Sequence, residues 1–184
     1  MARRTSLREF QQSVAQRLRD LASRKSVASK LGFQVGSQNW LVTLTDVSEV
    51  IPVPAVMPVP RTEDWFAGVA NVRGKLYSIN DFWRFQGGPH TGAGMERRVV
   101  LVADRLIEGS GLLVSRMLGL RNPEQYTVES AEADPQQPWI RARYRDANGV
   151  SWLELDLSAL VSSQRFLEAG TRGKHDAAPV EQVS

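Results

Sequence analysis

The side chains that most often perform chemistry in proteins are scarce in this sequence. Its 184 residues include no cysteine, and its two histidines, His90 and His175, lie far apart in the chain. Without cysteine, disulfides, thiolate metal sites and cysteine nucleophiles are excluded. Two scattered histidines also make a Ser–His–acid triad or a histidine-rich metal centre hard to build. We therefore predict no metal site and no catalytic nucleophile.

Neighbouring carboxylates and one glycine-rich stretch are the remaining candidates for catalysis or cofactor binding. Glu63 and Asp64 are adjacent, and Glu154 and Asp156 alternate along a predicted strand. Solvated faces or turn caps explain both pairs without acid–base catalysis. Residues 87–94 are glycine-rich but lack the Gly-Lys-Ser/Thr ending of a phosphate-binding P-loop. We therefore expect no cofactor and no enzymatic activity, and the shortage of catalytic groups favours a binding protein.

The positive charge of the sequence is concentrated at its N-terminus. Residues 1–30 hold eight Lys and Arg against Glu9 and Asp20, a balance of +6, whereas the whole chain carries +3. The remaining residues therefore sum to −3, and the pI of about 9.6 describes an N-terminal arm rather than the body. Any binding to a polyanion must rest on that arm.

The arm is predicted to contain an amphipathic helix over residues 6–22, followed by a linker at 23–30. Ser6 and Glu9 form a capping box at its start. Its apolar stripe consists of Leu7, Phe10, Val14, Leu18 and Leu21. Three interpretations stay open: the stripe docks on the body or on another subunit, the basic face binds a membrane surface or nucleic acid, or the segment is a mitochondrial transit peptide. No apolar run approaches the roughly 20 residues that cross a bilayer.

From residue 31 onward the sequence changes to short segments rich in β-branched and aromatic residues, bounded by Gly, Pro, Asn or Asp. This pattern predicts a barrel or sandwich of many short strands. Hairpin loops are expected at 36–39 and at 146–149, where Asn-Gly supplies positive φ. A helix is predicted over 157–168, and residues 169–184 read as a disordered tail. The predicted strands are 31–35, 40–44, 47–52, 76–79, 99–102, 112–114, 139–144 and 150–155.

Two further stretches are candidates for a binding surface. Prolines punctuate residues 52–60, so this segment is expected to run extended along a sheet edge or across the surface. In the stretch that follows, 65–75, a short helix is predicted to lead through Gly68 into an apolar strand that ends at Arg73. Arg73 is then either a solvated turn residue or a functional one.

Residues 60–85, PRTEDWFAGVANVRGKLYSINDFWRF, resemble the signature of CheW-like domains. Gly68–Gly74 matches its central Gly-Val-x-Asn-hydrophobic-Arg-Gly motif at every position, and 47–51 resembles the strand that precedes it. Segments at 98–103, 111–114 and 152–160 resemble the second half of the domain, and the similarity spans residues 31–168. With its N-terminal extension the chain is similar to the adaptors of pilus-linked chemosensory systems.

The resemblance implies a mainly β fold of two small five-stranded barrels that share a core, without catalysis. It implies a cytoplasmic adaptor at membrane-associated chemosensory arrays that controls type IV pili and twitching motility. The implied partners are the cytoplasmic tip of a methyl-accepting chemoreceptor and the regulatory domain of a CheA-like histidine kinase, with no nucleic acid and no membrane insertion. The implied receptor-binding residues are Val47, Glu49, Val50, Val69, Asn71 and Arg73.

Overall fold

A computed structural model describes residues 30–131 and 135–170. Within these ranges the chain is built mainly from strands, with 3-10 turns at 44–46 and 123–125. The helices are α1 (Phe82–Phe85), α2 (Leu157–Ser162) and α3 (Gln164–Leu167). The strands are β1 (Lys30–Val35), β2 (Gln38–Thr43), β3 (Val47–Pro52), β4 (Phe66–Val72), β5 (Lys75–Asp81), β6 (Arg98–Val102), β7 (Ser110–Val114), β8 (Arg116–Arg121), β9 (Tyr126–Ser130), β10 (Ile140–Asp146) and β11 (Ser151–Leu155).

The strands form two sheets. Sheet A has six strands in the order β8-β1-β2-β11-β10-β9, and sheet B has five in the order β3-β6-β7-β5-β4. Neighbours pair antiparallel except β2 with β11 and β5 with β7, which are parallel. The mainly β fold predicted from the sequence is confirmed, although sheet A holds six strands where five were expected.

One apolar core is shared by both sheets and the helices. Sheet A contributes Phe33 and Trp40, sheet B contributes Val100 and Leu112, and α1 contributes Phe82, all at most 1% exposed. On each of these strands the next residue in the core lies two positions further along, as expected for a strand with one face on a core. A second, smaller core lies on the opposite face of sheet B and consists of Ile51, Ala70, Ile79, Val99, Leu101 and Leu113.

The chain passes from sheet B to sheet A at Ser115, the only residue between β7 and β8. The Ser115 amide donates to the Gln34 carbonyl at 2.9 Å, and its hydroxyl accepts from the Gly36 amide at 3.0 Å. Both bonds join this crossing to the β1–β2 hairpin. This crossing is thus an almost continuous strand, whereas the earlier passage from β2 to β3 runs through the 3-10 turn at 44–46.

Two local predictions are wrong. The short helix predicted from Trp65 to Gly68 is absent, because Trp65 lies in a turn and β4 begins at Phe66, where aromatic and β-branched residues favour a strand. The predicted helix over 157–168 is divided into α2 and α3, because Ser163 is extended with ψ of 136°.

Several predictions fall on residues that the structure does not describe. The amphipathic helix and most of its linker lie before residue 30, and the tail from 171 onward lies beyond the last described residue, so both stay predictions. No helix within the described ranges is long and apolar enough to cross a membrane.

Candidate functional site at the edges of the five-stranded sheet

The Asn-Val-Arg-Gly motif builds the tight turn between β4 and β5. Val72 pairs with Lys75, which leaves Arg73 and Gly74 as a two-residue loop with φ of 53° and 87°. Positive φ at both positions is the type I′ geometry that matches the twist of a hairpin. The Asn71 side-chain oxygen accepts from the Gly74 amide at 2.8 Å and holds the turn. The motif therefore places an arginine at an exposed hairpin tip.

Arg73 forms a two-pronged ion pair with Glu49 of β3. Its terminal nitrogens donate to the two carboxylate oxygens at 2.7 and 2.8 Å. The hydrogen bond that Arg73 donates to Glu49, followed by the charge of that carboxylate, raises the pKa of Arg73. The Arg73 and Glu49 side chains are 75% and 37% exposed, so the pair stands at the protein surface. Because β3 and β4 are the two edges of sheet B, this pair joins one edge of the sheet to the other.

A β-bulge at Ser48 sets the orientation of Glu49. The pairing of β3 with β6 passes from Val47↔Val102 directly to Glu49↔Leu101, so Ser48 is the extra residue. Its hydroxyl donates to the Leu101 carbonyl at 3.2 Å. The bulge turns Glu49 to the face that bears Leu101, and there it meets Arg73.

The three predicted valines lie on one face of sheet B. Val50 pairs with Val100, which pairs with Leu112, so these side chains point to the face on the shared core. On the other edge Val69 pairs with Ser78 of β5. Ser78 lies on the same face as Asn80, two residues on, and Asn80 pairs with Leu112, so Val69 also lies on the core face. Val47 and Val50 pack against the shared core yet stay partly exposed, and Val69 is also half-buried.

Residues 53–60, here called the proline strap, run past the β4 edge. The Met57 and Val69 amides donate to each other's carbonyls at 2.8 and 2.9 Å. Gly68, with φ of 138°, allows this approach, since a Cβ atom there would lie 2.2 Å from the Met57 carbonyl oxygen. The extended path predicted for this proline-rich segment is confirmed, and Met57 remains 60% exposed.

The comparison with known proteins decides the family. A model of the CheW-like domain matches residues 30–165. The chain belongs to the CheW-like family. Protein PilI of Pseudomonas aeruginosa (strain PAO1) is 31% identical over 144 residues, which cover 76% of this chain and 79% of PilI. The crystal structure of scaffolding protein TtCheW from Thermoanaerobacter tengcongensis has the same fold, with TM-score 0.61, 16% identity, and coverage of 75% of this chain and 94% of that one.

This match confirms the resemblance seen in the sequence. CheW-like proteins are non-catalytic scaffolds or adaptors of chemosensory signalling. In this CheW-like chain the turn motif and β3 bring Glu49, Asn71 and Arg73 to the edges of sheet B, with the three valines on its core face. The pairing of Glu49 with Arg73 was not foreseen, because nothing in the sequence shows which strand neighbours the turn.

Further ion pairs lie near the Glu49–Arg73 pair at the surface of sheet B. Lys75, next to the turn, contacts Asp104 at 2.8 Å and Glu108 at 3.0 Å, and these bonds raise its pKa. Arg105 pairs with Asp46, in the 3-10 turn before β3. No motif in the sequence indicates these ion pairs, since each partner is distant in the chain and only the fold places it nearby.

Three of the four carboxylates considered for catalysis, Asp64, Glu154 and Asp156, have structural partners instead. Asp64 pairs with Arg84, and Asp156 caps α2 by accepting from the Ala159 amide at 3.0 Å. Glu154 is not solvated as expected: it is 3% exposed and accepts from the Lys30 ammonium at 2.8 Å. It also accepts from the Tyr144 hydroxyl at 2.6 Å, and burial followed by that bond raises the pKa of Tyr144 to about 12.

Proposed function

We propose that this chain is the adaptor of a type IV pilus chemosensory system. It couples the cytoplasmic tip of a methyl-accepting chemoreceptor to the regulatory domain of a CheA-like histidine kinase, and its output is pilus movement and twitching motility. Membership of the CheW-like family supports the adaptor role. The similarity to PilI supports the pilus system. The chain works in the cytoplasm at membrane-associated arrays, by binding rather than by catalysis.

The receptor-binding surface that we propose comprises the two edges of sheet B. A receptor tip is a helical hairpin, and a helix is bound by apolar contacts flanked by polar anchors. Val47, Val50 and Val69 supply partly exposed apolar contacts on the core face of the edge strands. Glu49 lies on the opposite face, so a partner helix must lie along the edges to contact both. Arg73 is the principal anchor, because a guanidinium presents a planar fork of donors and arginine is favoured at interfaces.

One observation carries this proposal: the exposed Glu49–Arg73 pair across the sheet edges. In the free protein each charge neutralises the other, so both side chains are held in position before a partner arrives. Asn71 contributes by fixing the turn that carries Arg73. A partner helix then meets a preorganised pair instead of two mobile side chains, which lowers the entropy cost of binding.

The test is a pull-down with purified receptor tip and kinase from the same organism. Arg73→Glu is expected to abolish receptor capture while the melting temperature stays within a few degrees of wild type, since exposed ion pairs contribute little to stability. Arg116→Glu, an exposed charge reversal on β8 of sheet A, is the matched control and retains capture.

A charge swap separates a contact with the receptor from a purely internal role. Glu49→Arg combined with Arg73→Glu restores an internal pair but reverses both charges presented to a partner. The proposal predicts that the swap fails to bind. Full recovery of binding by the swap, or normal capture by Arg73→Glu, shows that Arg73 is not a receptor anchor.

A further inference from the structure

A cleft in sheet A lies between the β1–β2 turn and the β10–β11 hairpin, away from the side chains of the candidate receptor site. It measures about 300 Å³. Leu153, 9% exposed, forms an apolar part of its wall. Its polar lining consists of Ser37, Gln38, Asn39, Arg143 and Ser151. These side chains offer hydroxyl, carboxamide and guanidinium donors, and none of the described residues that line the cleft carries a carboxylate.

Arg143 differs from the two arginines that flank it on β10. Arg141 donates to Asp156 at 2.7 Å, and Arg145 donates to Glu129 at 2.6 Å. Arg143, the middle arginine, is exposed, and no residue in the described ranges forms a hydrogen bond or an ion pair with its guanidinium. The three alternate along one strand, yet only the one in the cleft lacks an acidic neighbour among those residues.

The strand register places Arg143 beside the apolar wall. Arg143 pairs with Leu153 across the β10–β11 hairpin, and Leu153 pairs with Trp40 of β2. Directly opposed residues point to the same face, so the guanidinium extends from that face next to Leu153. Val150, 42% exposed, adds apolar surface in the same cleft.

We propose that this cleft binds an acidic side chain of a partner polypeptide. A guanidinium matches a carboxylate through two parallel hydrogen bonds, and the carboxamides and hydroxyls around it add donors. The volume stands at the lower limit of small-molecule sites, so a free metabolite would remain largely uncovered. A Glu or Asp side chain attached to a chain that also contacts Val150 fits better. This site lies in sheet A and does not depend on the receptor-binding proposal.

The test uses the full chain, labelled with 15N, in titrations at low salt. The probe is acetyl-Ala-Val-Glu-Ala-amide, and its control is the same peptide with Gln in place of Glu. The Glu peptide is expected to give saturable shifts of the Ser37, Asn39 and Ser151 amides. Arg143→Gln is expected to weaken binding about tenfold, the usual effect of losing a charged hydrogen-bonded pair. Because the wild-type chain and the Arg143→Gln variant carry the same basic arm, the difference in their affinities for the Glu peptide reports on the cleft alone.

Three further comparisons complete the experiment. Arg143→Lys keeps the charge but lacks the fork, and should bind with intermediate affinity. Arg61→Gln removes an exposed positive charge elsewhere and should leave binding unchanged. The proposal is overturned if the Gln peptide binds equally well, if Arg143→Gln has no effect, or if Arg61→Gln weakens binding as much. Tighter binding of inorganic phosphate to the same amides would also overturn it, in favour of a phosphorylated ligand.

Discussion

Sheets A and B join their two edges by different means. In sheet A, whose edges are β8 and β9, Arg121 of β8 lies 5.2 Å from the Trp152 ring, and Tyr126 of β9 packs against the same ring at 5.5 Å. Trp152 is 4% exposed, so this contact is internal. In sheet B the edges meet through Arg73 and Glu49 at the surface, with the proline strap paired to β4.

The internal edge contacts of sheet A and the exposed edge contact of sheet B differ in what they contribute to stability and to recognition. Internal aromatic contacts remove apolar surface from water and stabilise the fold, whereas an exposed ion pair adds little to the free energy of folding. The Glu49–Arg73 pair, by contrast, leaves charged groups accessible to another protein. The edge contact of sheet A therefore contributes mainly to stability, and the edge contact of sheet B is the one that we propose for a partner.

The buried charge pair of sheet A should give the largest effect. Lys30→Met leaves the buried Glu154 without its hydrogen-bonded cation, with only Arg141 among the described cations nearby, at 3.8 Å, and this is expected to lower the free energy of unfolding by about 3 kcal/mol. Urea denaturation of the full chain measures the change. Lys30→Met combined with Glu154→Gln should recover most of the loss, because the buried charge is removed and the Tyr144 hydroxyl keeps an acceptor. A single variant as stable as wild type would show that the pair is not buried in solution.

The proline strap of sheet B gives the next effect. Gly68→Ala forces a methyl group against the Met57 backbone and should destabilise the protein by about 2 kcal/mol or more. Gly119→Ala in sheet A is the matched control, since it also has positive φ, 81°, but meets no atom within 4 Å. It should cost only about 1 kcal/mol. Equal melting temperatures for the two variants would contradict the close approach of the strap to β4.

The β10–β11 turn of sheet A should show a pH-dependent effect. Bonds from the Val150 amide, then from the Trp152 indole, lower the pKa of Asp146. A carboxylate with a lowered pKa stabilises the folded state at neutral pH, and this contribution is lost as the pH falls below about 4, through its folded-state pKa. Asp146→Asn should therefore be less stable than wild type at pH 7, and the gap should narrow in acid. Denaturant midpoints at several pH values measure it; a constant gap would contradict the mechanism.

The smallest effect on stability is expected at the exposed pair of sheet B. Glu49→Gln should change the melting temperature by less than about 2 °C, because both side chains are accessible to water. Differential scanning fluorimetry measures the change. A large drop would mean that the pair, like its buried counterpart in sheet A, supports the fold, and the division between the sheets would fail.

What the sequence predicted well was local. Asn148-Gly149 predicted the β10–β11 hairpin, because turn chemistry is decided within four residues. The Asn-Val-Arg-Gly stretch was recognised by its resemblance to the family motif. Strands facing the shared core were found for a related reason: their apolar residues are continuous or alternate. The two strands missed, β8 and β9, are the edges of sheet A, where no residue is fully buried and glycine or charged residues interrupt short apolar runs.

What the sequence could not predict was distant pairing. Glu154 was expected to be solvated, since alternation along a strand does not say which face is enclosed. Its partner, Lys30, lies 124 residues away and was assigned to the linker. For the same reason the members of the candidate site were named by resemblance, but the contact between Glu49 and Arg73 became evident only from the strand order of sheet B.

The strand order also determines when each sheet can form during synthesis. Sheet B consists of consecutive strands, β3 to β7, and can assemble as soon as residue 114 has left the ribosome. Sheet A must wait, because β2 pairs in parallel with β11, near the end of the described chain. Until β11 arrives, the aromatic side chains of β1 and β2 lack part of their cover, and such late, distant pairings are slow and prone to aggregation. The sheet that carries the candidate receptor site is thus expected to fold first, and the sheet that completes the shared core to fold last.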